Sequence, residues 1–261
     1  MRFIITSLIF ILYFSNLFSQ NRGIVYYGQI ESIKLKGPHG PDFNAVLAFN
    51  HEASYYVTAK DSLDSHTSFK RVYDNADGTQ GISFSTYTTP IGRQVYNNLK
   101  TDSLYWNKWR TFYVAEKTPK INWKLEKESK QIGTLLAYKA TGQFRGRNYT
   151  AWYTLDIPLP FGPWKLQGLP GLILEAYDEH KEMYIYFKNI EYPTQNKTPI
   201  KPIIWPIETQ EKWRTLSDYK IRLNDIYERM KSSSISVAQM LDTEIPEQQI
   251  KSEVFLESFK D

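Results

Sequence analysis

Two acids flank the most backbone-constrained stretch of this chain: Asp156 precedes, and Glu175 follows, a run crowded with glycine and proline. Two carboxylates that converge on one bond are the equipment of hydrolysis, one donating a proton while the other activates water or attacks. Sequence fixes no distance between them. The plainer role, which the residue types favour, is that Asp156 pairs with Arg145 or Arg147, or accepts from backbone N–H groups freed near the prolines. Asp178-Glu179-His180 offers metal-ligand types in a row, yet it falls between two alternating segments, where such residues form a solvated turn. His39 and His51 fall in loops, and no two histidines stand at a spacing that would put both on one ion. Serine is plentiful, but the G-x-S-x-G nucleophile elbow is absent. The glycines of GPWKLQGLPG are interrupted by prolines, which cannot donate to a phosphate. The chain has no cysteine, so thiol catalysis, disulfides and cysteine-ligated metals are excluded. The expectation is no catalytic, metal or cofactor site, with a hydrolase or metal-dependent enzyme built on Asp156, Glu175 or the 178–180 turn as the alternative.

A succession of strands must position these residues. GIVYYGQIESIKL, from Gly23, alternates apolar and polar positions with β-branched and aromatic members. KGPHGPDF breaks it, and NAVLAFNHEASYYVTA reads as a hairpin turning at Asn50-His51-Glu52. Residues 60–81 are polar and read as a variable loop, with DNADGTQG a turn cluster. ISFSTYTT, QVYNNL, RTFYVAEKT and INWKLEKES continue the strand rhythm. Short spacing without intervening helices describes an antiparallel meander. One segment departs from it: over residues 213–230, Trp213, Leu216, Tyr219, Leu223, Ile226, Tyr227 and Met230 recur at three- and four-residue steps, an amphipathic helix. Glu208, Thr209 and Glu211 supply its N-terminal cap and acids, and the serines after Lys231 end it. Its apolar stripe is expected on the concave face of the sheet. The fold class is therefore mainly β: a curved antiparallel sheet or half-barrel packed on one C-terminal amphipathic helix.

Residues 1–20, MRFIITSLIFILYFSNLFSQ, carry one arginine, an apolar run and a small polar end, the pattern of a secretory signal peptide. Residues 21–261 then form a single domain, large enough to build a core without covalent staples. No later segment is apolar enough to span a membrane, so export to the periplasm is expected, with the exterior as the alternative. The net charge of +4 becomes +3 once Arg2 is removed (4 − 1). That mild balance, with export, excludes nucleic acid as a partner. Aromatics make up 15% of residues, nineteen of them tyrosine; such side chains suit half-buried sheet faces and surfaces that grip an apolar ligand. Residues 244–261 are charged with scattered apolar positions and carry no placement.

In KATGQFRGRNYTAWYTLDIPLPFGPWKLQGLPGLILEAYDE, two extended runs join at Arg145-Gly146-Arg147, a hairpin in which Gly146 takes positive φ at low cost. Pro158, Pro160 and Pro163 then remove three backbone donors, so no ladder runs through them and the chain crosses an edge or end of the sheet. Gly168 and Gly171, both expected at positive φ, bracket Leu169-Pro170 in a tight turn feeding the next strand, with MYIYFKNIEY as its hairpin partner. Trp164 covers the edge of the core. The same residues carry a resemblance. Gly168-Leu169-Pro170-Gly171-Leu172-Ile173, preceded by Gly162-Pro163-Trp164, Arg145-Gly146-Arg147-Asn148-Tyr149 and Ala151-Trp152-Tyr153, is similar to the signature of the GLPGLI family, exported proteins of Gram-negative cell envelopes. The resemblance is dense over residues 139–178. It implies a protein of unassigned biochemical activity, discussed with outer-membrane transport receptors, and a structural role for Arg145, Arg147, Trp164 and the hexapeptide. Many relatives have a cysteine shortly before the Lys139-Ala140 pair; Ala137 stands there in this chain, which removes any thiol-dependent role. The rhythm Trp164, Gly168, Leu169, Pro170, Glu175 is also similar to that of envelope carriers that shelter lipid-modified proteins beneath a curved sheet, a likeness of fold alone. The function these readings favour is a non-catalytic envelope protein that binds an apolar ligand or an outer-membrane partner protein.

Overall fold

The computed structural model describes residues 22–32, 36–63, 68–74, 80–86, 88–108, 112–201, 213–240, 257 and 259; the signal-peptide expectation and the proposed capping residues Glu208, Thr209 and Glu211 lie outside them. Among the described residues thirteen strands and one α-helix follow in order, with a 3-10 turn at Asp61–Leu63 between the third and fourth strands: β1 (Gly23–Glu31), β2 (Asp42–Phe49), β3 (Ala53–Thr58), β4 (Ser68–Asp74), β5 (Gln80–Thr86), β6 (Arg93–Asn98), β7 (Ser103–Lys108), β8 (Phe112–Lys117), β9 (Lys124–Ile132), β10 (Leu135–Phe144), β11 (Arg147–Thr154), β12 (Leu172–Asp178), β13 (Met183–Glu191) and α1 (Leu216–Met240). Eleven strands form one antiparallel, unclosed sheet in the order β8-β7-β6-β3-β2-β1-β13-β12-β11-β10-β9, and β4 with β5 forms a separate hairpin. The fold class is therefore the mainly β one with a C-terminal helix. Residues 60–81, expected as loop, hold β4 and the start of β5, and the strand β7 follows a turn that sequence periodicity passes over.

The order describes two meanders joined at both ends. One runs outward from β1 to β8, and the other runs inward from β9 to β13, which pairs with β1. Residues 118–123 connect β8 to β9, the two opposite edges of the sheet. Flat, those edges would lie about 48 Å apart at about 4.8 Å per strand, whereas six residues reach at most about 25 Å. The sheet must therefore curl until its edges approach, which gives it an inner and an outer face.

Each edge is protected from further pairing. Arg214 forms a parallel bridge with Val114: its N–H donates to Tyr113 O at 2.8 Å, and its carbonyl accepts from Ala115 N–H at 3.0 Å. Trp213 packs edge-on against Tyr105 and Tyr113. On the other side β9 reads KLEKESKQI, mostly exposed, a charged edge that discourages strand addition. Leu125 in it is 54% exposed, so the alternation read through INWKLEKES does not hide an apolar face there.

The helix begins at Leu216, with Thr215 as its cap: Thr215 Oγ1 accepts from Asp218 N–H, and Asp218 Oδ2 accepts from Thr215 N–H, a reciprocal capping arrangement. It does not stop at the serines. Ser232 Oγ donates to Glu228 O at 2.9 Å, one helical turn back, so this hydroxyl is satisfied without leaving the helix. Tyr219, Leu223 and Tyr227 are buried along one face, and Tyr219 meets Trp106 of β7 edge-on at 4.6 Å and Phe112 of β8 at 5.9 Å.

Candidate functional site

Alternation divides the side chains of β1, β2, β3, β6 and β7 into two sets. Val25, Tyr27, Gln29, Leu47, Tyr56, Val95 and Trp106 share the inner face through direct cross-strand registers, while Ile24, Tyr26, Val46, Tyr55, Val57 and Gln94 share the outer one. The loop of residues 155–171, between β11 and β12, enters the inner side and fills it. Ile157, Phe161, Leu166 and Leu169 are buried with the sheet core, and Phe161 lies 6.4 Å from the ring of Phe49. Its backbone is tied by short bonds, Leu172 N–H to Ile157 O, Ile173 N–H to Phe161 O and Gly168 N–H to Pro160 O, each at 3.0 Å. Tyr27 donates to Ile173 O at 2.6 Å. The expectation of a chain that only crosses an edge is thus corrected: three prolines prevent a ladder, and the loop instead becomes the inner wall's packing.

The signature glycines work differently from each other. Gly168 has φ +90° with nothing near the position of a Cβ, so its need is conformational. Gly171, also expected at positive φ, is not; a Cβ there would stand 1.9 Å from Thr154 O, so its need is steric, set by the close pass of the loop's end over β11. Leu169, Leu172 and Ile173 are buried and Pro170 exposed. Trp164 is half-buried, edge-on to Phe144 at 5.8 Å and tilted on Tyr149 at 6.3 Å. Arg145 (φ 50°) and Trp164 (φ 55°) both hold left-handed backbone without being glycine, a conformation that persists only where surroundings enforce it.

For Arg145 the two-residue hairpin turn with Gly146 (φ 78°) calls for it, and both side chains reach a buried ionic cluster. Arg145, at the β10–β11 turn, donates through Nη2 to both carboxylate oxygens of Glu116 on β8, at 2.7 and 2.6 Å. Because β8 and β10 stand near opposite edges of the sheet, this pair closes the curl through side chains. Gln167 of the loop does the same for the edge-to-edge connection: it donates to Pro119 O, and its carbonyl accepts from Trp123 Nε1 at 2.8 Å. Lys165, 3% exposed, donates to both oxygens of Glu257 at 2.7 and 2.8 Å and lies 3.2 Å from the centre of the Trp106 ring. Glu257, 4% exposed, also accepts from Tyr219 at 3.2 Å and has Arg145 Nε at 3.6 Å. Alongside, Arg93 pairs with Glu31 at 2.5 Å, Gln29 donates to Glu31, and Tyr56 donates to Gln29. A small cavity of about 30 Å³ separates the two groups, lined in part by Glu31, Arg93, Lys108, Lys165, Trp164 and Glu257.

Burial and charge set the protonation states. Burial lowers the Lys165 ammonium to about 8, against the pull of Glu257. Burial would raise Glu257 and Glu31, but Lys165 with Arg145, and Arg93 with Lys108, more than offset it and hold each carboxyl below its ordinary range. Burial lowers Lys108 as well. Carboxylates held ionised in this way are poor proton donors near neutral pH.

The residues singled out from sequence fall in separate places. Asp156 is exposed beyond the end of β11, its N–H donating to Thr154 Oγ1 at 3.2 Å. Glu175 sits on β12 opposite Trp152 and pairs with Lys130 at 3.0 Å. The arginines expected beside Asp156 go elsewhere: Arg145 to Glu116 and Glu257, Arg147 to Asp178 at 2.5 Å and Glu182 at 2.9 Å. Asp178 is therefore not part of a solvated turn; it is 2% exposed, and besides Arg147 it accepts from Met183 N–H at 2.9 Å. Among the described residues no three His, Asp or Glu stand close enough to hold a metal ion. Sequence reasoning passed over Lys165, Glu116, Glu31, Arg93 and Glu257. The usable signal was Lys165 itself, the one cation inside an apolar Gly- and Pro-rich loop.

The outer face carries a second feature. A cavity of about 580 Å³ lies against β1, β2, β3 and β6, walled by Ile24, Tyr26, Val46, Tyr55, Val57 and Ile91. Residues 198–201 and 60–63 contribute Pro199, Leu63, Lys60 and Lys201, and these two lysines are the basic residues among the described lining. Tyr55 donates to Gln94 and Tyr26 to Glu191, both at 2.8 Å, so the hydroxyls at the wall are already engaged.

Residues 144–175 match the model of a family described as "Protein of unknown function (Porph_ging)". The matched span runs from the turn that holds Arg145, through the inner loop, to Glu175 on β12. No curated protein matches the chain. Among solved structures it is similar to "Structure of PNGF-II in P21 space group", with 13% identity, a TM-score of 0.47 and coverage of 77% of this chain and 32% of that one. It is also similar to "Structure of PNGF-II in C2 space group", with 13% identity, a TM-score of 0.44 and coverage of 67% and 28%. The chain spans about a third of the length of these structures.

Proposed function

We propose that this protein is an exported, non-catalytic binding protein of the cell envelope, in the GLPGLI family, that holds an amphiphile with an apolar body and an anionic end in the outer-face cavity. The observation that carries the reading is that cavity: about 580 Å³, apolar-walled, with Lys60 and Lys201 as its charged residues. Its volume falls in the range of small-molecule sites, about 300–1,000 Å³, and such sites combine an apolar wall with a few placed polar groups. Two cations without an opposing acid among the described residues of the lining suit a carboxylate or phosphate at one end of the guest. The periplasm is the location that fits residues 1–20, and an outer-membrane receptor is the class of partner the family resemblance suggests.

The test is binding of a fluorescent fatty acid to the purified protein, with native mass spectrometry for any molecule that co-purifies. Val46→Trp projects an indole into the cavity and is expected to abolish binding while leaving the melting temperature within a few degrees. A wild-type protein that neither binds the probe nor carries a guest would refute the proposal. A Val46→Trp variant that melts much earlier with unchanged probe binding would assign the cavity to the protein's own packing.

A further inference from the structure

Glu257 and Phe259 are held on the inner side by side chains from four separated elements. Lys165 of the loop and Tyr219 of α1 donate to the Glu257 carboxylate, Arg145 stands beside it, and Trp106 of β7 backs Lys165. Phe259 lies edge-on to Tyr219 at 6.1 Å, with the Arg145 guanidinium 4.7 Å from its ring centre. Tyr219 and Arg145 each meet both side chains, so this acid and aromatic two positions apart form a single two-pronged guest.

The cradle does not depend on that guest for its shape. Glu116 accepts from both Arg145 and Trp106 Nε1, the latter at 2.7 Å, and so fixes the two from behind. Tyr219 is set by its packing on Trp106 and Phe112. Lys165 is carried by a loop pinned at Gln167 and Gly168. Of the two cations about the carboxylate, Arg145 is held by an independent carboxylate behind it and Lys165 by its loop and the Trp106 ring, a preorganisation that lowers the cost of binding. Sixteen residues separate Met240, the end of α1, from Glu257, and a chain of that length reaches up to about 55 Å.

We propose that the cradle of Arg145, Lys165, Trp106 and Tyr219 is a recognition site for a short peptide segment with the pattern acid-x-aromatic, and that Glu257 and Phe259 of this chain are its resident, displaceable guest. The site lies on the inner side of the sheet and is independent of the outer-face cavity. Glu253-Val254-Phe255 repeats the pattern four residues earlier, which makes register part of the test.

The experiment uses the full chain with Glu257→Ala and Phe259→Ala, so that the resident guest is removed, and a labelled synthetic peptide of residues 250–261 added in trans, followed by fluorescence anisotropy. The double variant is expected to stay folded by circular dichroism and to bind the peptide saturably, at least tenfold more tightly than wild type, whose site is self-occupied. Adding Lys165→Met to the double variant is expected to remove binding, and a peptide with Glu257→Gln to weaken it at least tenfold. Four results would overturn the proposal: a double variant that fails to fold, equal binding to wild type and double variant, binding that survives Lys165→Met, or a Glu257→Gln peptide that binds as well as the original. A wild-type protein that elutes as a dimer while the double variant elutes as a monomer would overturn the cis assignment in favour of a guest supplied by a second copy.

Discussion

On the inner face of β1, β3, β6 and β7 the side chains include Gln29, Glu31, Tyr56, Arg93, Trp106 and Lys108, around about 30 Å³ of space. On the outer face of β1, β2, β3 and β6 stand Ile24, Tyr26, Val46, Tyr55 and Val57, beside about 580 Å³. In a curled sheet the enclosed side is the expected place for a ligand, and here it is the fuller of the two. The loop of residues 155–171 occupies the hollow, and around it Arg93 pairs with Glu31, Lys165 with Glu257 and Arg145 with Glu116. The difference teaches that polarity in this molecule follows hydrogen-bond satisfaction rather than distance from water. A sheet that packs its own hollow has its remaining room on its back.

That contrast can be broken most directly at the inner loop. Gly171→Val places carbon where the Thr154 carbonyl already lies, and a loss of about 3 kcal/mol is expected. Gly168→Ala meets no atom and strains only the backbone at φ +90°, so about 1 kcal/mol is expected. Urea titration of both variants checks the order; a Gly171→Val protein as stable as wild type would show that the loop is not packed as described.

A smaller effect should follow pH. Arg93 with Lys108, and Lys165 with Arg145, hold the Glu31 and Glu257 carboxyls below the ordinary carboxylate range, so their stabilisation is present above that range and is lost as pH falls through the lowered values. Wild-type urea midpoints should therefore decline below about pH 4.5, and Glu31→Gln should make the decline shallower. An acid limb of unchanged slope in that variant would remove Glu31 from the inner electrostatics.

The smallest change in stability is expected on the outer face. Replacing Lys60 and Lys201 together by Gln should leave the melting temperature unaltered and weaken an anionic amphiphile by about tenfold, on the order of 1.4 kcal/mol, with a neutral analogue unaffected. Equal weakening of both probes would show that the lysines shape the cavity without reading charge.

Much of the backbone plan could be read from residue order. Strand alternation, the hairpin at Asn50-His51-Glu52 and the turn at Arg145-Gly146-Arg147 all rest on neighbours in sequence. Asn50 shows why: its Oδ1 accepts from Glu52 and Ala53 N–H at 2.9 and 2.8 Å, a turn built within four residues. What residue order hides is pairing at long range. Lys165 has no partner in its own neighbourhood of the sequence; Glu257, 92 positions away, is brought to it. Asp178 reads as a solvated turn until Arg147, 31 positions back, reaches it across β11 and β12. The outer cavity belongs to the same class, since its walls come from four strands and three connecting segments, none of which is distinctive alone.

Tyr26 of β1 donates to Glu191 at the end of β13, 165 positions later. For a chain synthesised or exported from its N-terminus, the consequence concerns assembly. β1 and β2 can zip at once, yet the other flank of β1 stays open until nearly the whole sheet sequence has appeared, and contacts this remote slow folding. The first strand to emerge is then the last to lose its sticky side, which makes the nascent protein a natural client for a holding chaperone.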